Sequence, residues 1–165
     1  AGLQILGEGL NYTFAKRPSR AQKQPIPLST WFARMKDTYK VLCFSHANRE
    51  IAESTILSSG FAGFRATEPG YLPALFLTVS SEAFHAQKNQ FCTGATQMSL
   101  TNDGLSRIQV PLVPAGQARR FGELCSPLLD QMLMLFSSSA VLRRTRDLLI
   151  PRLLSVGRAS EEPAA

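Results

Sequence analysis

The side chains that could carry out a reaction are few in this sequence and lie far apart. Ser45, His46 and Asp37 are the residue types of a hydrolase triad, but no motif fixes their geometry. The two histidines, His46 and His85, are isolated and form no paired motif of the kind that binds zinc. Glycine-rich phosphate loops and the Asn/Asp-Pro-Pro-Tyr/Phe stretch of amino-methyltransferases do not occur. The sequence therefore predicts no catalytic residue, no metal and no cofactor.

The cysteines indicate a reducing compartment. Cys43, Cys92 and Cys125 lie 49 and 33 positions apart, so they form no Cys-x-x-Cys pair. An odd number of cysteines in a chain of this length is not a disulfide framework, and we expect three reduced thiols. No secretory signal is visible, and no apolar run approaches the roughly 18 residues of a membrane span. We therefore expect a cytoplasmic protein with no membrane segment.

The positive charge is concentrated in two parts of the chain. The 165 residues include 18 Lys and Arg against 12 Asp and Glu, which gives a net charge of +6. Residues 1–50 carry +5, residues 51–114 carry −1 and residues 115–158 carry +4. A surface that faces phosphates would show this pattern, and so would a solvated basic surface on an ordinary protein. The first block holds eight cations: Lys16, Arg17, Arg20, Lys23, Arg34, Lys36, Lys40 and Arg49.

The first 114 residues show a mixture of strand and helix patterns. Pro and basic residues predict a surface loop, short β-prone runs predict buried strands, and apolar residues at helical spacing predict an amphipathic helix. Pro111 places the last predicted strand at a sheet edge or at its own end. In chain order, we predict a loop at 16–27, strands at 39–45 and 58–65, a helix at 72–86, turns at 93–97 and 99–105, and a strand at 108–112.

A long helical pattern follows, from residue 115 to residue 150. Pro127 either kinks this helix or opens a fresh one after Ser126, and Pro151 is expected to end it. Some 35 residues would reach about 50 Å, which is longer than a small domain needs, so we expect the helix to pair with a partner. Residues at a seven-residue interval, with others interleaved, form a narrow coiled-coil seam. The predicted partner surface is Phe121, Leu128, Met132, Leu135, Leu142 and Leu149.

Several motifs occur in an order and spacing that resemble one protein family. A Gly94–Leu100 stretch, Leu105, the run 108–114, Gln117 and Phe121 are similar to the end of a target recognition domain in type I restriction–modification specificity subunits. That family runs Gly-Ser/Ala-Thr-Gln, a helical turn, an Ile-x-Ile/Val-Pro-Leu-Pro-Pro strand and then a long helix. Residues 56–65 resemble its Ser-Ser-Gly-Phe strand, and residues 142–155 resemble its Leu-Arg-Asp-x-Leu-Leu-Pro-Lys/Arg-Leu-Leu-Ser ending. The likeness covers roughly residues 55–156.

The resemblance implies an α+β fold: a mixed target recognition domain at 1–114, a long coiled-coil-type spacer helix at 115–158 and a disordered tail at 159–165. It implies a non-catalytic subunit that binds DNA and directs a partner N6-adenine methyltransferase and a restriction subunit to a two-part site. The candidates for DNA contact that it implies are the eight cations of residues 1–50. One domain and one helix are about half of the full subunit, either a natural half or a fragment. Its helix would pair with the other half or with a second copy, and Gly94–Gln97 would fix a turn.

Two alternatives remain open at this point. In the first, two copies pair through the helical seam and together recognise a palindromic split site. In the second, the chain is a non-catalytic adaptor whose long helix binds a protein partner and whose basic loop is incidental. Sequence-specific DNA binding that weakens steeply with salt would separate the two classes.

Overall fold

The computed structural model describes residues 20–111 and 113–159, with side chains as far as residue 153. Its elements confirm the predicted α+β class, with a long helix at the C-terminal end. A single 3-10 turn, Pro69–Tyr71, precedes the second helix. The other elements in chain order are β1 (Ala21–Lys23), β2 (Ser29–Ala33), β3 (Val41–Phe44), α1 (Arg49–Ser54), β4 (Leu57–Ser58), β5 (Phe61–Arg65), α2 (Leu72–Ser80), α3 (Glu82–Gln90), β6 (Cys92–Thr93), β7 (Ser99–Leu100), α4 (Asn102–Ser106) and α5 (Ala115–Ala159).

A three-stranded antiparallel sheet, in the order β3-β2-β5, lies at the centre of the fold. Successive side chains of a strand point to opposite faces, so each strand contributes to two apolar clusters. Phe32 packs on one face with residues of α2, α3 and α5, whereas Leu42 and Phe44 pack on the other with α1 and β4. Trp31 lies opposite Gly63 on β5. A Cβ on Gly63 would lie 2.5 Å from the Trp31 ring, which explains the glycine in this strand.

The predicted helix at 72–86 is two helices, α2 and α3, separated by one residue. Ser81 has extended backbone angles, and its hydroxyl accepts a hydrogen bond from Phe84 N at 3.2 Å. This is an N-cap, and it starts a new helix because it satisfies an N–H group that has no partner within α3. Pro73 does lie in the first turn of α2, as predicted. The apolar spacing continues through the break, which is why it suggested one helix.

Two other predictions about local structure are wrong. Residues 108–111 form no strand, and Leu112 lies outside the described residues. The 16–27 segment, predicted as a loop, contains the short strand β1, which pairs with β4 at Ala21↔Ser58. Both differences depend on tertiary pairing, because strand propensity is expressed only where a neighbouring strand is present. Residues 108–111 are β-prone but pair with no strand in the described part of the chain, whereas β1 forms because β4 lies beside it.

Helix α5 runs without interruption from Ala115 to Ala159, so neither Pro127 nor Pro151 ends it. Its first half packs closely on the domain: a Cβ on Gly122 would lie 2.4 Å from the Gly70 backbone, so only glycine allows this contact. Leu129 and Leu133 enter the main apolar cluster. The predicted tail 159–165 lies outside the described residues, apart from the last residue of α5.

Candidate nucleic-acid interface

The loop that joins β2 to β3, residues 34–40, forms a short turn at one end of the sheet. Ala33 N, at the end of β2, donates a hydrogen bond to Lys40 O at 3.0 Å and closes the hairpin. Asp37 has a φ of 57°, a left-handed conformation that Asp tolerates better than most residues. Three predicted DNA-contacting residues lie in this 34–40 turn: Arg34, Lys36 and Lys40.

Hydrogen bonds bring two more of the predicted cations to the same end of the sheet. Arg34 N donates to Gly60 O at 2.8 Å, and Lys23 Nζ donates to the carbonyl oxygen of the first residue of β5 at 2.5 Å. Arg20 lies beside the turn at 59–60 that joins β4 to β5, because its carbonyl accepts from Ser59 N at 2.8 Å. We name this group the basic sheet end; its members are Arg20, Lys23, Arg34, Lys36 and Lys40.

The cations of the basic sheet end are close enough to affect one another. Burial lowers the pKa of Lys23, and the positive charge of Arg34 lowers it further. Arg34 Nη2 donates to Asn102 Oδ1 at 2.6 Å, while its buried Nε has no hydrogen-bond partner in the described part of the chain. Like charges held together repel each other, and a bound polyanion would relieve that repulsion.

A second loop, residues 94–98, lies against the 34–40 turn. Lys36 N donates to Met98 O at 2.9 Å, and the backbone of Met35 bridges to β7. Gly94 has a φ of 133°, and a Cβ there would lie 2.6 Å from the carbonyl oxygen of Gln97. The turn predicted at 93–97 is therefore confirmed. All of residues 94–98 are exposed. The two loops therefore form one surface, which the sequence did not reveal because they are about sixty residues apart.

Carboxylates and exposed apolar side chains also belong to this surface. Asp37 lies in the 34–40 turn, and Asp103 pairs with Arg107 at 2.9 Å on α4, next to Asn102. Tyr39 is half exposed and its ring meets that of His85 at 4.6 Å between centroids, nearly edge-on. The surface thus alternates cations with an aromatic ring and two carboxylates, and it is not uniformly positive.

Arg49 does not belong to the basic sheet end. It lies on α1, which follows the far end of β3, and it pairs with Glu53 at 2.6 Å, with both side chains exposed. Ser45 and His46 lie at that same far end, whereas Asp37 lies at the near end, so the hydrolase triad is not assembled. The remaining two candidates lie outside the described residues: Lys16 and Arg17.

Lys88 is a residue that the sequence analysis missed. Its side chain is fully buried behind the 34–40 turn, and Nζ donates to the carbonyls of Ala33, Met35 and Thr38 at 3.3, 2.9 and 2.8 Å. The sequence did contain a signal, since Lys88 follows Phe84 by one helical turn on the apolar side of α3. A cation at an apolar position needs acceptors, and nearby turn carbonyls are the usual source.

The predicted partner surface on α5 is exposed along most of its length. Phe121 and Met132 are half-buried, whereas the four leucines of the seam are 48% to 67% exposed. The contact with the domain is centred on Leu129 and Leu133, and Met132 of the seam packs against the same apolar cluster. From residue 141 to residue 153 every side chain is exposed. Within the described structure, the four leucines of the seam stay exposed, and pairing through them stays a prediction.

The same helix bears on the expectation that no segment could span a membrane. By length and apolar composition alone, the segment Ala115–Leu153 meets the requirement for a span, and only 11% of its most apolar stretch is buried. The expectation rested on too strict a criterion: it considered only unbroken apolar runs, whereas this stretch is apolar on average and contains isolated polar residues. One such helix is a weak indication, since helices of soluble proteins pass the same test.

The cysteines and acidic residues add no further site. Cys43 and Cys92 are buried and Cys125 is half-buried, and all three are free thiols. Burial raises the pKa of Cys43 to about 12, so it is a packing residue rather than a nucleophile. Among residues 20–111 and 113–159, no group of His, Cys, Asp and Glu could hold a metal ion.

Comparison with known proteins gives this chain no relatives. No protein family model, no curated protein and no solved structure matches it.

Proposed function

We propose that the chain is a sequence-specific DNA-binding specificity subunit, or half of one, of a type I restriction–modification complex. In this role the chain does no chemistry. It binds one part of a split site and presents the duplex to a partner methyltransferase, which modifies adenine at N6, and to a restriction subunit. Such a complex acts on DNA in the cytoplasm, which is where we place the chain.

The observation that carries the proposal is the basic sheet end. Five cations that are scattered over 21 residues of sequence lie at one end of the sheet, next to an exposed turn with a partly exposed Tyr39. Cations that contact phosphates set affinity and register, while other side chains on the same surface reach base edges in a groove. The order of motifs along residues 55–156 supports the same assignment.

The long helix fits the role of a spacer between two recognition domains. Its 45 residues correspond to about 68 Å, or two turns of DNA at about 34 Å each. The exposed leucines offer a seam on which a second copy, or the other half of a full subunit, would pack antiparallel. Each leucine buried there would contribute about 1.5–3 kcal/mol.

An adaptor that binds a protein partner is the second candidate, and the exposed seam favours it. Leu128, Leu135 and Leu142 would bind an apolar helix of any protein, with or without DNA. The two candidates differ at the basic sheet end, which only the DNA-binding function uses.

Selection from a randomised pool of duplexes by the full chain, alone and with a co-purified methyltransferase, tests the proposal. We expect enrichment of one sequence and a binding constant that falls steeply as salt rises. Replacing Lys36 and Lys40 with Ala should lower affinity for all duplexes and reduce the salt slope by about one per lost phosphate contact. Arg49→Ala is the matched control, because Arg49 lies at the opposite end of the sheet, and it should leave both unchanged.

If the chain enriches no sequence with the methyltransferase present, sequence-specific recognition is wrong and the adaptor function takes its place. In cells that contain the chain and the methyltransferase, the set of methylated adenine sites would then be the same for the wild type and for the Lys36→Ala/Lys40→Ala variant.

Pairing through the seam has its own experiment. Leu135→Glu together with Leu142→Glu should dissociate an assembly that the seam holds, as measured by sedimentation. Met134→Glu with Val141→Glu is the matched control: both residues are exposed and apolar, but each is turned by about 100° from its seam neighbour. An assembly that survives the first pair of substitutions would rule out the spacer role.

A further inference from the structure

Two consecutive residues of α3, Lys88 and Asn89, hold the 34–40 turn from behind. The ammonium of Lys88 has three N–H groups, and each has one carbonyl acceptor in or next to the turn. The site is enclosed, since Lys88 is fully buried. Burial lowers the pKa of Lys88, while the charges of Cys92 and Asp37 raise it. The ammonium is thus fully satisfied inside the fold, and it is not available to contact a ligand.

Asn89 holds the tip of the same turn through a reciprocal pair of hydrogen bonds. Asp37 N donates to Asn89 Oδ1 at 3.1 Å, and Asn89 Nδ2 donates to Asp37 Oδ1 at 2.9 Å. Asp37 is the residue with a left-handed backbone, so the amide of Asn89 fixes the one conformation that costs the turn energy.

The turn has few other internal bonds. Within it, Thr38 N donates to Met35 O at 3.4 Å and Thr38 Oγ1 to Lys36 O at 3.5 Å, both of which are long for hydrogen bonds. The shape of the turn therefore depends on contacts from outside it: α3 from behind, Met98 from the side, and Gly60 and Leu100 at its first residue. Because three carbonyl groups in or next to the turn are engaged from behind, Lys36 and Lys40 stay at the surface, while Arg34 is held by Asn102.

We propose that Lys88 and Asn89 are positioning residues that hold the 34–40 turn in the conformation in which it recognises DNA bases. This inference rests on the proposed DNA-binding function and assigns the recognition element to one turn. Phosphate attraction depends on charge and tolerates a mobile turn, whereas base contacts require fixed geometry. Loss of the hydrogen bonds from Lys88 and Asn89 to the turn should therefore reduce sequence preference and leave general affinity for DNA in place.

The test compares a duplex that the full wild-type chain selects with a scrambled duplex of the same composition. For Asn89→Ala we expect the ratio of the two affinities to fall about tenfold, the size of effect that one lost base-pair contact produces. Affinity for the scrambled duplex should stay within about twofold, because no cation is removed. Hydrogen exchange at the Asp37 amide, measured without DNA, should become about tenfold faster.

Gln90→Ala is the matched control, an exposed neighbour on the same helix, and it should leave the ratio and the exchange rate unchanged. Asn89→Asp is a second variant, to be used if Asn89→Ala fails to fold. It keeps the acceptor for Asp37 N but loses the donor to Asp37 Oδ1, so it should also lower the ratio of selected to scrambled affinity. A folded Asn89→Ala protein with the wild-type ratio would overturn the proposal.

Failure of the proposed function gives a different result. If the wild-type chain binds the selected and scrambled duplexes equally, DNA recognition is wrong and the positioning role falls with it. In that case faster hydrogen exchange at the Asp37 amide in Asn89→Ala would show only that Asn89 stabilises the turn.

Discussion

The basic sheet end and the second half of α5 expose different kinds of side chain: mainly charged ones at the sheet end, and many apolar ones on the helix. At the sheet end the backbone is held by side chains such as Lys88, and what remains exposed is mainly charge. On α5 every side chain from residue 141 to residue 153 is exposed, and Val141, Leu142, Leu148 and Leu149 are among them. Cations fixed on a rigid support suit a charged polymer in water, whereas a row of leucines suits an apolar surface.

The difference teaches that α5 serves two purposes along its length. Its first half is an element of the domain, because Ala118, Leu129 and Leu133 are buried against it. In its second half, the side chains from residue 141 to residue 153 are all exposed. A helix of this length is stable on its own only in part, and its apolar residues provide the interaction that a partner would complete.

The largest expected effect separates the two faces of α5. Leu133→Ala removes a side chain that is 1% exposed and should destabilise the fold by about 2–5 kcal/mol, from lost burial and the cavity left behind. Leu135→Ala, two residues away and 60% exposed, should change the stability of the monomer by less than about 0.5 kcal/mol. Urea unfolding at low protein concentration measures both. Equal effects would mean that the two faces are not distinct.

A substitution in the sheet and one in the helix form the next comparison. Gly63→Ala should cost about 1–3 kcal/mol, because its Cβ would overlap the Trp31 ring in a packed cluster. Gly116→Ala, at the exposed start of α5 with nothing within 4 Å, should stabilise by up to about 1 kcal/mol. The fluorescence of Trp31 should change in the first variant only. A neutral Gly63→Ala would show that the sheet can adjust at this position.

The parts of the fold that were predictable depend on local patterns. The β-prone run at 39–45 contains β3, the alternation of aromatic and small residues at 58–65 contains β5, and Pro73 lies in the first turn of α2, where it fits. These signals are local because side-chain periodicity and turn residues act over a few positions.

The parts that were not predictable depend on contacts between distant residues. The break at Ser81 comes from one hydroxyl cap within an unbroken apolar pattern, and residues 108–111 pair with no strand among the described residues. The candidate site shows the same limit. Its cations were identifiable from charge, but that Arg49 lies apart from Lys36 and Lys40 follows from the topology of the sheet. The position of Lys88 on the apolar side of α3 was visible in the sequence, but its carbonyl acceptors are not, because they lie 50 to 55 residues away along the chain.

The smallest expected effect is a pH dependence that belongs to the sheet end and not to α5. Burial lowers the pKa of His85, and the nearby charge of Lys88 lowers it further; the ring also packs on Tyr39. Because the folded-state pKa lies below the unfolded value of about 6.5, both states are neutral above that pH and the histidine then costs nothing. As pH falls below about 6.5, the unfolded state takes up the proton first, so stability declines until the folded-state pKa is reached. His85→Phe keeps a ring against Tyr39 and removes the proton site, so its melting temperature should fall less between pH 7 and pH 5 than that of the wild type. Replacing the exposed His46 with Phe is the control, and an equal pH response in all three proteins would show that His85 does not titrate in this range.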